Sequence, residues 1–179
     1  MHEEFGDDPD VGMKALQDLE RTQPSLLTPS YFLKQIYFAK GDYPEYLAEL
    51  HRIASITHEP DDVSIANAAT RGWAQGRKTG MLEELFGAQK KAFFGRGTES
   101  GFWLGQTAIL LGHPKEAVPY FKAALDRHFI LLITMQDCDW ASKLSADPDY
   151  ALLFAQIRER IHGGHIGHPT AVPVSFRLP

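Results

Sequence analysis

The residues of this chain best suited to chemistry are three histidines near its C-terminal end, His162-Gly-Gly-His165-Ile-Gly-His168. Imidazoles at three-residue spacing in a glycine-rich segment can wrap a zinc or nickel ion. No cysteine or carboxylate lies among them, so a histidine-bearing tail without metal is the competing reading. Gly95-Arg-Gly-Thr-Glu-Ser-Gly101 is glycine-rich, but it lacks the preceding strand and the lysine of a phosphate loop. Cys138 sits between Asp137 and Asp139, whose charges disfavour the thiolate that a nucleophile needs. Glu83-Glu84 and Asp61-Asp62 are adjacent pairs that point apart on a helix or lie in a turn, unlike carboxylates spaced for acid–base work. A non-enzymatic role without a cofactor is the expectation.

The elements that would position these residues follow from a pattern that occurs three times. Gly41, Gly76 and Gly112 are each followed nine residues later by Leu50, Leu85 or Phe121, and twelve residues later by Ile53, Ala88 or Ala124. Ala39, Ala74 and Leu110 stand two residues before the glycines, whose intervals are 35 and 36 residues. Self-similarity at that period is the mark of stacked helical hairpins. Start and stop signals place the helices. Asp8-Pro9 and Thr28-Pro29 pair a capping side chain with a proline and predict helices over Pro9–Arg21 and Pro29–Lys40. Tyr43–Thr57 returns with Tyr46, Leu47, Leu50, Ile53 and Ala54 along one stripe. Asp62 opens a helix through Gln75, Gly76 to Gly80 form a turn, and a further helix runs to Phe94 with Leu82, Leu85, Phe86 and Gln89 on successive turns. Thr98–Leu111 and Pro114–Arg127 make the third pair, with Pro119 kinking the second turn of its helix. Phe129–Met135 has strand-like composition without a partner strand and reads as a buried connector, followed by a helical turn over Asp139–Leu144. The last helix, Pro148–His162, places Leu152, Leu153, Gln156 and Ile157 on its inner side with Ala155 at the edge, and Gly163-Gly164 ends it.

Composition frames the class. The chain has 179 residues, 44% of them hydrophobic and 23% charged, with a net charge of −5, which describes a globular protein able to bury its own core. No apolar run approaches the ~20 residues that span a bilayer. The opening Met-His-Glu-Glu-Phe-Gly-Asp-Asp lacks the apolar centre of a signal peptide, and the single cysteine suits a reducing compartment. A cytoplasmic location is therefore expected. Residues 1–20 are strongly acidic, whereas Arg71, Arg77, Lys78, Lys90, Lys91 and Arg96 face only Glu83 and Glu84 over their stretch. That basic run reads as a solvated helix face or as a patch attracting an acidic peptide.

On these residues the chain resembles the tetratricopeptide repeat family. Leu104-Gly105, Gly112, Ala117, Phe121 and Ala124 fall at the family's helix-A, turn and helix-B positions. The first hairpin matches at Leu33 and Gly41-Asp42-Tyr43 but has Lys34 and Tyr46 where small residues are usual. The second keeps Gly76 and Ala88 but has Met81 in place of alanine. Asp139 to Tyr150, running into Leu153 and Ile157, looks like the closing segment of repeat domains attached to bacterial transcription regulators and signalling kinases. No winged helix or kinase motif accompanies it, so only the repeat module's role carries over. The resemblance implies an all-α right-handed superhelix of about three stacked antiparallel hairpins, with an N-terminal helix and a C-terminal capping helix. The implied organisation is an acidic segment with one helix over 1–27, the repeat domain over 28–162 and an extended tail over 163–179.

The family's groove-facing positions, carried onto this chain, are Tyr31, Gln35, Phe38, Ala66, Thr70, Trp73, Phe102, Gln106 and Ile109. An aromatic and amide lining of that kind can hold a peptide. Gln35, Thr70 and Gln106 stand where some members carry a lysine and asparagine clamp, which disfavours capture of a C-terminal carboxylate. The expected function is thus a bacterial, cytoplasmic scaffold or sensor that binds a protein or peptide, with no membrane role. Two alternatives stay open. A helical-repeat nucleic-acid binder is disfavoured by the acidic balance. A metal- or small-molecule-binding domain would use the histidine tail or the groove. The tail itself alternates Val172, Val174, Phe176 and Leu178 with Pro173, Ser175 and Arg177, giving an apolar edge that can lie against the array or mediate self-association.

Overall fold

The computed structural model of the chain describes residues 9–95, 97, 101–127, 144 and 147–162. Among these residues every regular element is a helix, and there are seven: α1 (Pro9–Thr22), α2 (Leu27–Lys40), α3 (Tyr43–Thr57), α4 (Pro60–Gly95), α5 (Phe102–Leu110), α6 (Pro114–Asp126) and α7 (Pro148–His162). The all-α class follows directly. Proline opens α1, α4, α6 and α7 and occupies the second position of α3, where its missing N–H has no helical partner to lose and its fixed φ suits the turn. Expectations for Cys138, the connector at Phe129–Met135 and the tail fall outside the described residues, as does most of the helical turn at Asp139–Leu144. No helix is long and apolar enough to cross a membrane among the described residues.

The chain divides into two compact units, one ending at Met81 and the other starting at Leu82. In the first, α2 and α3 form an antiparallel hairpin about Gly41. That glycine takes φ +75°, and the turn closes with Gly41 N–H on Phe38 O (3.1 Å) and Asp42 N–H on Tyr37 O (2.9 Å). This pair of bonds satisfies the last carbonyls of α2 and requires a left-handed residue, which glycine adopts without strain. The expected stripe of α3 is buried in full: Tyr46, Leu47, Leu50, Ile53 and Ala54 all belong to the core, with Leu33 of α2 against them. α1 lies on α2. Arg52 ties the two, reaching the Glu20 carboxylate at 2.5 Å, the Ser30 hydroxyl at 3.1 Å and the Pro24 carbonyl at 2.9 Å.

Three boundaries differ from the sequence reading. Thr28 is not the cap of α2: the helix begins at Leu27 behind Leu26, which has no side chain to bond the free N–H groups. Pro29 then sits in the first turn, where its ring is still harmless. The turn expected over Gly76 to Gly80 is present but tighter. Only Gly76 (φ −139°) and Arg77 (φ 53°, ψ −138°) leave helical geometry, and α4 resumes at once. The two sides of this break approach so closely that a Cβ on Gly72 would stand 2.1 Å from the Gly80 carbonyl oxygen. Glycine at 72 and 80 is what permits the contact. Finally, α5 starts at Phe102, four residues after the expected Thr98.

The second unit repeats the first hairpin's turn. Gly112 (φ +80°) closes α5 with its N–H on Ile109 O and that of His113 on Ala108 O, each at 2.9 Å. α5 and α6 bury Phe102, Ala108, Ala117, Phe121, Ala124 and Leu125 against Tyr150, Leu153, Phe154 and Ile157 of α7. The expected inner side of α7 needs correction at Leu152, which is 52% exposed, and at Ala155, also exposed. The buried stripe is 150, 153, 154 and 157, the three-and-four spacing of one helix face. α7 is fastened at both ends: the Tyr150 hydroxyl donates to Pro114 O at 2.7 Å, and Arg160 Nη1 donates to Leu125 O at 2.6 Å.

Candidate functional site

The left-handed turn at Gly41 brings α3 back along α2, and so sets Tyr43 and Tyr46 edge-on to Phe38, with ring centroids 5.7 and 5.3 Å apart. Trp73 of α4 lies 5.2 Å from the Tyr43 ring. Two cations finish the cluster. The Arg77 guanidinium stands 5.3 Å over Trp73, and Lys78 Nζ lies 5.6 Å from Phe38 and 5.7 Å from Tyr43. Phe38, Tyr43 and Trp73 are half-buried, while Arg77 and Lys78 are exposed. Each stacked cation contributes ~0.5–1 kcal/mol at such a wet site, so both can be recruited by a stronger anionic partner. Among the described residues no carboxylate lies within 4.0 Å of either.

Arg77 adds a backbone argument. Its φ of 53° with ψ of −138° is a conformation that L side chains rarely adopt. Strain of this kind costs on the order of 1–3 kcal/mol and collects at functional sites. Gly76, the turn glycine before it, has negative φ. The break thus places an arginine where glycine would be easier, and that arginine covers Trp73.

The expected groove residues separate into distinct surroundings. Phe38 and Trp73 are brought together, through Tyr43. Tyr31 is half-buried beneath the Lys34 ammonium, 5.2 Å from its ring centroid, and Gln35 is half-buried. Ala66 is fully buried. Thr70 is exposed, yet its hydroxyl donates to Ala66 O at 3.0 Å and lies 2.8 Å from His51 Nε2, so that nitrogen is the donor. In the second unit Phe102 and Gln106 are only 3% and 9% exposed, and Ile109 packs half-buried against the core. Phe102 meets Trp103 at 4.9 Å and Phe121 at 6.1 Å, which makes it a core residue of that hairpin. Sequence reasoning left Tyr43 out of the groove and offered Lys78, with Arg77, only as part of the basic run. Tyr43 and Lys78 stand one on each chain reversal, next to a groove aromatic.

A second aromatic group in the second unit is self-satisfied. Glu116 Oε1 accepts from Lys90 Nζ at 2.7 Å and from the Tyr120 hydroxyl at 3.2 Å, with His113 Nδ1 3.7 Å from its other oxygen. The Lys90 hydrogen bond holds the Glu116 carboxyl below its ordinary range and raises the lysine, while burial raises the Tyr120 phenol. A groove of about 530 Å³ between α6 and α7 is rimmed by Lys122, Asp126, Gln156, Glu159 and Arg160, a polar lining with Leu125 alone apolar. For metal, His162 ends α7 but its side chain, like His165 and His168, lies outside the described residues. No group of three or more potential metal ligands occurs among the residues that are described. Comparison with protein-family models, with curated proteins and with solved structures finds no match to this chain.

Proposed function

We propose that this chain is a non-enzymatic interaction module that holds a segment of a protein or peptide partner. In this reading its hairpins stack as a right-handed superhelix of the tetratricopeptide kind. The cluster of Phe38, Tyr43 and Trp73 under Arg77 and Lys78 is the contact surface of the first unit. The observation that carries it is the pairing of half-buried aromatic area with two exposed cations whose stacking leaves their charge unneutralised. Aromatic side chains supply large rigid contact area, and guanidinium and ammonium groups orient an anionic or backbone-carbonyl partner. Burial of Leu50, Leu85 and Phe121, each nine residues after a repeat glycine, supports the repeat reading.

Affinity capture from cells, run side by side with wild type and Tyr43→Ser/Lys78→Glu, tests the proposal. A partner retained by wild type and lost by the variant, with unchanged far-UV circular dichroism, is the expected result. Equal retention by both removes the cluster from the interface. Salt-sensitive binding to a generic oligonucleotide that requires Arg77 and Lys78 would overturn the reading in favour of nucleic acid.

A further inference from the structure

Glu49 is the one buried acid of α3, 6% exposed, and its Oε2 has no hydrogen-bond partner. The groups that act on it are Glu20 from α1, Ser30 from α2 and Arg52 from its own helix. Arg52 is already committed: its Nε bridges Glu20 and Ser30, and Nη2 is held by the Pro24 carbonyl. Ser30 is fully buried, and its hydroxyl donates to Glu20 Oε1 at 2.8 Å. Lys34, a turn along α2, holds its ammonium over the Tyr31 ring. Asp18 and Arg21, the exposed charges of α1 next to Glu20, pair with each other at 3.4 Å. The seam between α1 and the α2–α3 hairpin therefore holds the Glu20 and Glu49 carboxyls and the Arg52 guanidinium, with the buried Lys34 ammonium one turn further along α2. A buried charge without its counter-ion is costly, and a shared proton removes it.

We propose that this seam is a proton-operated latch: with one proton held by the Glu20–Glu49 pair α1 stays docked on α2 and α3, and loss of that proton releases α1. The titration lies in the useful range, because burial, reinforced by the Glu20 charge, pushes Glu49 up to about 7 from 4.5. The sign follows. A carboxyl raised on docking stabilises the docked state while it holds its proton, and that contribution is lost as pH rises through about 7. The ratio of docked to released α1 therefore falls as pH rises through that range. Release carries Glu20 away from Ser30, giving a buried hydroxyl to solvent and freeing Arg52. The latch is thus a switch on the surface of the first unit, separate from the aromatic cluster.

Hydrogen exchange of the full chain from pH 5 to pH 8.5, with the intrinsic pH dependence divided out, tests it. Amides of α1 are the readout, and those of Ile65–Ala69 in the same unit are the reference. The expected result is that α1 protection drops progressively between pH 5 and pH 8 while the reference holds. Glu49→Gln should keep acid-level protection at pH 8, because the amide carries no charge to expel. Glu20→Gln should flatten the profile as well, and it serves should the first variant fail to fold. A flat wild-type profile overturns the latch. So does a Glu49→Gln profile that tracks wild type, or a loss of protection in α1 and the reference together.

Discussion

Gly105 and Phe121 make a contact whose energetics can be worked out from the coordinates. A Cβ on Gly105 would lie 2.8 Å from both Cε1 and Cζ of Phe121 and 3.0 Å from Cδ1. The ring cannot retreat, since it is fully buried with Phe102 and Tyr150 at centroid distances of 6.1 and 6.5 Å. Phe121→Ala leaves a large cavity and should cost about 3–5 kcal/mol. Gly105→Ala gains roughly 1 kcal/mol of helix propensity but overpacks the ring at a cost of about 1–3 kcal/mol, for a net loss. In the Phe121→Ala background the obstacle is gone and the new methyl partly fills the void, so the same substitution becomes neutral or stabilising. The double-mutant cycle should therefore give a coupling of about 1–3 kcal/mol, the double mutant being more stable than additivity allows. Denaturant unfolding followed at once by far-UV circular dichroism and fluorescence measures it, with both signals used because the two units can melt separately. Additivity within about 0.5 kcal/mol would refute the contact as drawn.

Other substitutions test the two chain reversals. Gly72→Ala sets a methyl on the Gly80 backbone oxygen, where no side-chain rotation relieves it, and should abolish the cooperative melt of the first unit. Gly112→Val meets no neighbour but forces a β-branched residue to φ +80°, so its thermal midpoint should fall by backbone strain alone. Arg77→Gly should raise the stability of the first unit by up to about 1 kcal/mol, strain relief exceeding the lost stacking, while weakening capture of any partner that uses the cluster. A lower midpoint for that variant would show that Arg77 stabilises more than its backbone costs.

What could be read beforehand was the periodic part of the fold. Leu50, Leu85 and Phe121 recur because each return helix must bury one large side chain at the same depth, and Gly41 and Gly112 recur because their turns need positive φ. What could not be read depends on tertiary contact. Gly72 and Gly80 look like helix-weakening residues until the chain folds back and their backbones touch. Glu49 occupies a position whose charge suggests solvent, yet the fold buries it. Phe102 and Gln106 were placed in a groove by analogy of position, yet α5 turns them towards its own core. Leu152 looked internal by hydrophobicity, but Tyr150 takes the inner face because the Pro114 carbonyl offers its hydroxyl a partner.

The double fastening of α7 makes it a ruler. Tyr150 meets the first residue of α6 and Arg160 meets a carbonyl near its last, so the two helices run parallel with matched spans of ten and eleven residues, about 15 and 16.5 Å. Adding or removing one residue inside either helix slides one anchor by ~1.5 Å and turns it about 100° away, so both bonds cannot survive. Length variation in this region should therefore be confined to the chain between Asp126 and Pro148. Within the helices, the lineage of this protein can change residue types far more freely than residue number.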